Sequence, residues 1–189
     1  MSSPLPTDSV EVRLLTPEAA ARWDAFVEAC PEAGFFHRAG WQQVIERALG
    51  HDTYFLYAES AGRIEGVLPL GHVKSRLFGN ALISTPFCVY GGIAAAGPAA
   101  RQALDRAACE LAARLQVDYL ELRNRLPQQT SRPGKDLYVT FRKQIDPDPE
   151  KNMLAIPRKQ RAMVRKGIGA GLASELFADA GRFYEIYAD

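Results

Sequence analysis

Six basic side chains and no acidic one occupy the stretch from Lys151 to Leu172. In the run IPRKQRAMVRKGIGAGL, a helix opened at Pro157 would set Arg158, Arg161 and Arg165 in one stripe at i, i+3 and i+7. Lys159 and Lys166 would form a ridge beside it. Guanidinium groups so arranged suit a phosphate or a carboxylate, because their fork of N–H donors meets two oxygens at once. Arg158 and Lys159 would stand in the first turn, where the helix dipole disfavours cations by a few tenths to about 1 kcal/mol. An anion from another molecule would relieve that cost, although a solvated basic face has the same pattern. Met163, Val164 and Ile168 are then expected to face a core.

A second set of chemical groups is spread over the first two thirds of the chain. In VDYLELR, residues 117–123, a strand would put Tyr119, Glu121 and Arg123 on one face, either lining a pocket or forming a solvent-facing ion pair. Glu121, Arg123 and Tyr90 are candidates to line such a pocket, with Glu121 a candidate catalytic group. His37, in FFHRAGW, is the other candidate catalytic residue, although a lone histidine between apolar residues is also what a structural one looks like. Trp41 closes that motif and is a candidate contact for substrate. Gly91-Gly92 after Tyr90 would let a ligand approach the backbone, or would make a tight turn. No pair of histidines has metal spacing, and no Gly-x-Ser-x-Gly elbow or phosphate-binding P-loop is present. The expectation is therefore no metal and no tightly held cofactor.

These residues must be positioned by a folded domain, and the composition supplies one. The chain has 189 residues, 47% hydrophobic and 24% charged, with 23 basic and 22 acidic side chains. That is the soluble globular average and excludes disorder, collagen and a disulfide-stapled miniprotein. A net charge of +1 gives no whole-molecule pull toward nucleic acid, so any such binding is local to the basic run. Cys30, Cys88 and Cys109 lie far apart without CxxC spacing and are expected to be buried and reduced. MSSPLPTDSVEV has neither a basic nor an apolar leader region and is not expected to act as a signal peptide. The uncharged stretch Leu77–Ala100 contains Pro86, Pro98 and several glycines and is not a transmembrane helix. A cytoplasmic location is expected.

Periodicity predicts a strand at Val10–Leu15 and a helix at Glu18–Ala29 that buries Ala19, Trp23, Phe26 and Val27. A second helix is expected over Gly40–Leu49, and an antiparallel hairpin from Thr53–Glu59 and Arg63–Lys74. A buried strand should follow over Ala81–Gly92, with Pro86 at a bulge or an edge. The clearest helix starts at Gly97-Pro98, with Leu104, Ala107, Ala108, Leu111, Ala112 and Leu115 on its apolar face. Strands at Val117–Arg123 and Leu137–Gln144 complete a mixed α/β domain spanning residues 1–145. Residues 146–189 would begin a second unit: the DPDPE punctuation, the basic helix closed by the glycine run, a strand at Ala173–Phe177 and a helix from Arg182. That helix reaches the end of the chain, so the second unit is expected to be incomplete.

Taken together, FFHRAGW, GRIEGVLPLGHVKSRLFGNALISTPFCVYGG, YLELRNR and IPRKQRAMVRKG-x-x-x-GL resemble the Fem-like aminoacyltransferase family, in particular its exosortase- and exopolysaccharide-associated subgroup. The likeness runs through most of residues 10–178, and RKQRAMVRKG is its most specific part. It implies an α/β fold of GNAT type, with a mixed, mostly antiparallel sheet flanked by helices, and the start of a second similar domain after residue 145. It implies amine attack on an activated acyl ester, without a covalent enzyme intermediate, in cell-envelope, peptidoglycan or exopolysaccharide assembly. The acyl donor would be aminoacyl-tRNA or acyl-CoA. The acceptor would be a small molecule or nucleotide-sugar whose phosphates are held by Arg158, Arg161, Arg165 and Lys166. A homodimer or a further C-terminal half would complete the molecule. Peptidoglycan-building members place a lysine shortly after the tryptophan of the second helix. Trp41 is followed by Gln42-Gln43-Val44-Ile45, which weighs against a muropeptide acceptor.

Two other readings stand beside this one. Lys166-Gly167-Ile168-Gly169-Ala170-Gly171 approaches the loop with which GNAT acetyltransferases cradle the coenzyme A pyrophosphate, which would make the protein an acetyl-CoA-dependent N-acetyltransferase. That requires the glycines to follow a strand and open a helix, whereas a helix C-cap needs no ligand. Alternatively, the basic helix docks on RNA or an acidic partner, and the protein is a binding module without catalysis.

Overall fold

A computed structural model describes residues 9–75, 77, 79–125, 132–135, 139–176 and 179–188. The chain divides into two compact units, Met1–Ser131 and Arg132–Asp189.

The first unit is a mixed α/β sheet covered on both faces. Strand β1 (Glu11–Leu14) pairs with β2 (Asp52–Ser60), and β2 forms a hairpin with β3 (Arg63–Ser75) around Ala61-Gly62. Both turn residues are left-handed, at φ 47° and 74°, the twist that joins adjacent antiparallel strands. β3 pairs with β4 (Gly79–Ser84) along Leu70–Ser75 and with the short β5 (Ala94–Ala95) at Gly66 and Val67. β6 (Tyr119–Glu121) joins the far side of β4 and is the one parallel pairing, so the order is β1-β2-β3-β4-β6.

Alternation along the strands feeds two cores. Phe55, Tyr57 and Val67 face helix α1 (Ala20–Ala29), where Trp23 stacks on Phe55 with ring centres 5.6 Å apart. Leu56, Ala58, Leu68, Leu70 and Leu82 face helix α3 (Pro98–Arg114) and meet Leu104, Ala108 and Leu111. Burying an aliphatic or aromatic side chain of this size stabilises by about 1.5–3 kcal/mol. β2 and β3 therefore read as almost continuous apolar runs, because neither of their faces meets water. The expected helix at Glu18–Ala29 begins as a 3₁₀ turn at Pro17–Ala19 before becoming α1. The expected helix at Gly40–Leu49 is α2 (Trp41–Gln43), which widens into a π turn at Val44–Ala48.

Four expectations are corrected. The strand expected over Ala81–Gly92 ends at Ser84: Thr85 and Phe87 take φ of 33° and 69°, and the chain leaves the sheet before returning as β5. Pro86 is thus neither at a bulge nor in an edge strand. It lies under the excursion, so close to β3 that a Cβ on Gly71 would fall 2.6 Å from its ring. Cys109 is exposed on α3, whereas Cys30 and Cys88 are buried. Of the strand expected at Leu137–Gln144, residues 137–138 lie outside the described set and residues 139–144 form no strand. Of that at Ala173–Phe177, residue 177 lies outside it and residues 173–176 are likewise irregular.

Among the described residues the second unit has three helices, α4 (Pro149–Ala155), α5 (Arg158–Gly169) and α6 (Ala180–Ala188). α4 is what the Pro/Asp punctuation builds. Asp148 caps it by accepting the Glu150 N–H at 2.9 Å, and Pro149 occupies the first turn, where its missing N–H costs nothing. α5 starts where expected and is closed by the glycine run as expected, its helical turns continuing to Gly169. The Leu172 N–H donates to the Gly167 carbonyl (3.1 Å) and the Gly171 N–H to that of Ile168 (3.0 Å), with Gly171 at φ 76°. This paired capping pattern needs a left-handed residue, which glycine supplies without strain. Met163, Val164 and Ile168, expected to face a core, are exposed, and among the described residues no side chain of this unit is buried.

Candidate active site

The parallel pair β4–β6 ends at one place, and the candidate residues gather there. Ile83 lies opposite Glu121 in the last register pair. One residue on, the Ser84 hydroxyl accepts the Arg123 N–H at 2.7 Å, and there the two strands part. Carboxyl ends of adjacent parallel strands are where open α/β sheets leave a crevice for ligands, because the chain must diverge to reach its next element. Here it diverges into the segment 85–93.

That segment is bound to the β6 side by main-chain and side-chain contacts. The Gly91 and Gly92 N–H groups donate to the Arg123 carbonyl at 3.3 and 3.0 Å, and the Ile93 N–H donates to Asn124 Oδ1 at 3.0 Å. Arg123 Nη1 donates to the Cys88 carbonyl at 2.7 Å, while its Nε donates to Glu121 Oε1, also at 2.7 Å. The two glycines serve this close approach: a Cβ on Gly92 would sit 2.2 Å from Asn124 Oδ1, and one on Gly91 would sit 2.1 Å from Thr85 Oγ1. The Thr85 side chain and the side chain and backbone of Asn124 therefore fill the space the glycines open. Beyond Ile93, Arg101 on α3 donates to the Ile93 carbonyl (3.2 Å) and pairs with Glu32, which also accepts the Ala95 N–H.

Glu121 and Arg123, predicted to share a strand face, form an ion pair at the carboxyl ends of β4 and β6. Both are part-exposed, and among the described residues Glu121 Oε2 and Arg123 Nη2 make no hydrogen bond. Tyr90 is half-buried in the adjoining loop. Cys88 is buried and its thiol is pushed up by burial, with Arg123 opposing the shift, so it rests as a neutral thiol.

His37 has another role. Its ring is 3% exposed; Nδ1 accepts the Gly34 N–H at 3.2 Å, and Nε2 is 2.9 Å from the Gly92 carbonyl. Both nitrogens are thus engaged by backbone. Burial, the largest cause, holds its pKa below the usual histidine value, and the Arg125 charge acts in the same direction. Trp41 belongs to an aromatic cluster: it lies edge-on to Phe35, with centres 5.7 Å apart, and its Nε1 donates to the Phe35 carbonyl at 3.1 Å.

The basic residues all lie on α5. Arg158, Lys159, Arg165 and Lys166 are exposed and, among the described residues, unpaired. Arg161 is spent differently: its Nη2 donates to the Leu154 and Ile156 carbonyls, both at 3.0 Å, capping the end of α4. Residue spacing alone could not separate it from its neighbours. Ser84 and Asn124 were also missed, because their partners lie 39 and 31 residues away in the chain. Among the described residues no three His, Cys, Asp or Glu side chains gather as a metal site. Among them, too, no helix is long and apolar enough to cross a membrane.

No family model matches the chain, and no curated protein matches it. Among solved structures it is similar to a GNAT family acetyltransferase from Staphylococcus aureus subsp. aureus USA300_TCH1516, at 10% identity and a TM-score of 0.48, over 72% of this chain and 99% of that one. It is also similar to the ribosomal-protein-alanine N-acetyltransferase from Brucella melitensis biovar Abortus 2308, at 17% identity and a TM-score of 0.47, over 70% of this chain and 99% of that one. No residue role is transferred at such distances.

Proposed function

We propose that the protein is an acyltransferase of Fem-like kind, in which an acceptor amine attacks an activated acyl ester or thioester. The observation that carries this reading is the Glu121–Arg123 pair at the diverging ends of β4 and β6, where Glu121 Oε2 and Arg123 Nη2 make no hydrogen bond among the described residues. Glu121 Oε2 would orient the amine and take its proton as the new C–N bond forms, then return it to the alcohol or thiol expelled when the ester or thioester bond breaks, and Arg123 Nη2 would hold the acyl oxygen or a neighbouring phosphate. Attack by an amine on an ester needs orientation more than a protein nucleophile, which suits a site without one. Taken by itself, α5 with Arg158, Arg165 and Lys166 would attract phosphates such as those of a nucleotide-sugar or of tRNA.

The acetyl-CoA reading keeps the same reacting groups but loses its phosphate loop, because the glycine run closes α5 and opens no helix. Acetyl-CoA would have to be held elsewhere. Docking of α5 on RNA is favoured by one observation, its four cations that are exposed and, among the described residues, unpaired. It requires an affinity that falls by about 0.7–0.9 log units per log unit of salt for each phosphate neutralised, without acyl transfer.

A donor-by-acceptor panel followed by mass spectrometry tests the proposal: aminoacyl-tRNA and acetyl-CoA against amine-bearing sugar nucleotides. Acyl transfer from aminoacyl-tRNA supports the Fem-like reading, and transfer from acetyl-CoA alone supports the other. RNA binding with no transfer from either donor leaves the binding module.

A further inference from the structure

The geometry points to His37 as a positioning residue that fixes the 85–93 segment through the Gly92 carbonyl and does not touch substrate. It rests on the acyl-transfer reading only for what that segment serves. With the Gly34 N–H donating to Nδ1, the ring proton is on Nε2, so the neutral ring donates to Gly92 O at 2.9 Å. The N–H of the same glycine donates to the Arg123 carbonyl at 3.0 Å, so Gly92 is gripped from both faces. The Thr85 hydroxyl donates to the Phe36 carbonyl at 3.1 Å, and the Trp23 indole donates to the His37 carbonyl at 2.6 Å, tying this turn to the segment and to α1. Within the segment, Thr85 and Phe87 hold φ of 33° and 69°, conformations that side-chain-bearing residues keep only when their surroundings impose them. The groups facing the ring are the Gly34 amide and the Gly92 carbonyl, neither titratable, and the charge that bears on it is Arg125. A base would need a nitrogen free to face substrate, and both are engaged.

Hydrogen exchange at the Gly91, Gly92 and Ile93 amides, measured beside acyl transfer, tests this. His37→Gln keeps an amide N–H of similar reach and is expected to retain both protection and transfer. His37→Phe keeps bulk but no donor and is expected to lose protection roughly tenfold or more at those amides, with β2 and β3 unchanged. In the unaltered protein, the pKa lowered by burial means that the neutral ring supports the segment fully above pH about 6.5. That support is lost as pH falls through the folded-state value: Nε2–H still donates to Gly92, but Nδ1 no longer accepts from Gly34, and the buried charge favours opening of this turn, with the segment it holds, to water. Protection factors at these amides should fall on the acid side, and this series decides the matter if His37→Phe does not fold. Unchanged protection in His37→Phe, or on acidification, would overturn the role. So would a His37→Gln variant that is inactive with its segment fully protected, which would make His37 a reacting group. A segment released in His37→Phe, in a protein that transfers no acyl group, supports the positioning role and counts against the acyl-transfer reading alone.

Discussion

The sheet unit brings Trp23, Phe55, Leu68, Leu82 and Leu104 to zero exposure, whereas helices α4, α5 and α6 leave Leu154, Met163, Ile168, Phe183 and Tyr187 between 61% and 76% exposed. Both regions are regular, but different forces make them so. In the first, side chains from strands and helices far apart in sequence close two cores, and the hydrogen bonds of the candidate site are fixed against that rigid frame. In the second, order comes from short-range hydrogen bonds: Asp148 capping α4, Arg161 closing it, and Gly171 ending α5. A site that must hold reacting groups within a fraction of an ångström belongs on the first kind of support. A phosphate contact made by long, mobile cations tolerates the second.

Substitutions can break this contrast. The largest effect is expected for Leu104→Ala, which empties a fully buried position between α3 and the sheet and should cost about 2–5 kcal/mol, read as a lower denaturation midpoint. Gly92→Ala comes next. Its Cβ would collide with Asn124 and should cost about 1–3 kcal/mol, the usual range for overpacking, and displace the loop beside Glu121. Asp148→Ala should cost about 0.5–2 kcal/mol, confined to α4 and visible as lost helicity with the sheet unit's transition unmoved. Smallest is Ile168→Ser, an exposed position where the change should stay within about 0.5 kcal/mol. An Ile168→Ser effect as large as that of Leu104→Ala would show that α5 buries this face and would remove the contrast.

Where a residue's neighbours lie within a turn or one hairpin, the sequence was a sufficient guide. The hairpin of β2 and β3, the apolar face of α3 and the start of α5 all follow from periodicity and punctuation, and so does the Glu121–Arg123 face. The miscast features depend on distant partners. β4 stops at Ser84 because Arg123 meets it there, and Gly92 packs on Asn124 and binds His37, 55 residues away. Periodicity sees none of these pairings. The alternatives for Tyr90-Gly91-Gly92 and for His37 could thus be told apart only once the strands were in register. Arg161 differs from Arg158 only in having α4 ahead of it, and that helix was not foreseen because Pro and Asp mark a loop as readily as a helix start.

The most direct test of the site is the rate of acyl transfer by Glu121→Gln at saturating donor and acceptor, beside unaltered protein of equal thermal stability. Glutamine keeps the shape and can still accept from Arg123 Nε, but it cannot take a proton from the amine. The account expects kcat to fall by about 10²–10⁴, with KM for the phosphorylated acceptor little changed. An unchanged kcat would contradict the role given to Glu121 and move the reacting centre away from the ends of β4 and β6.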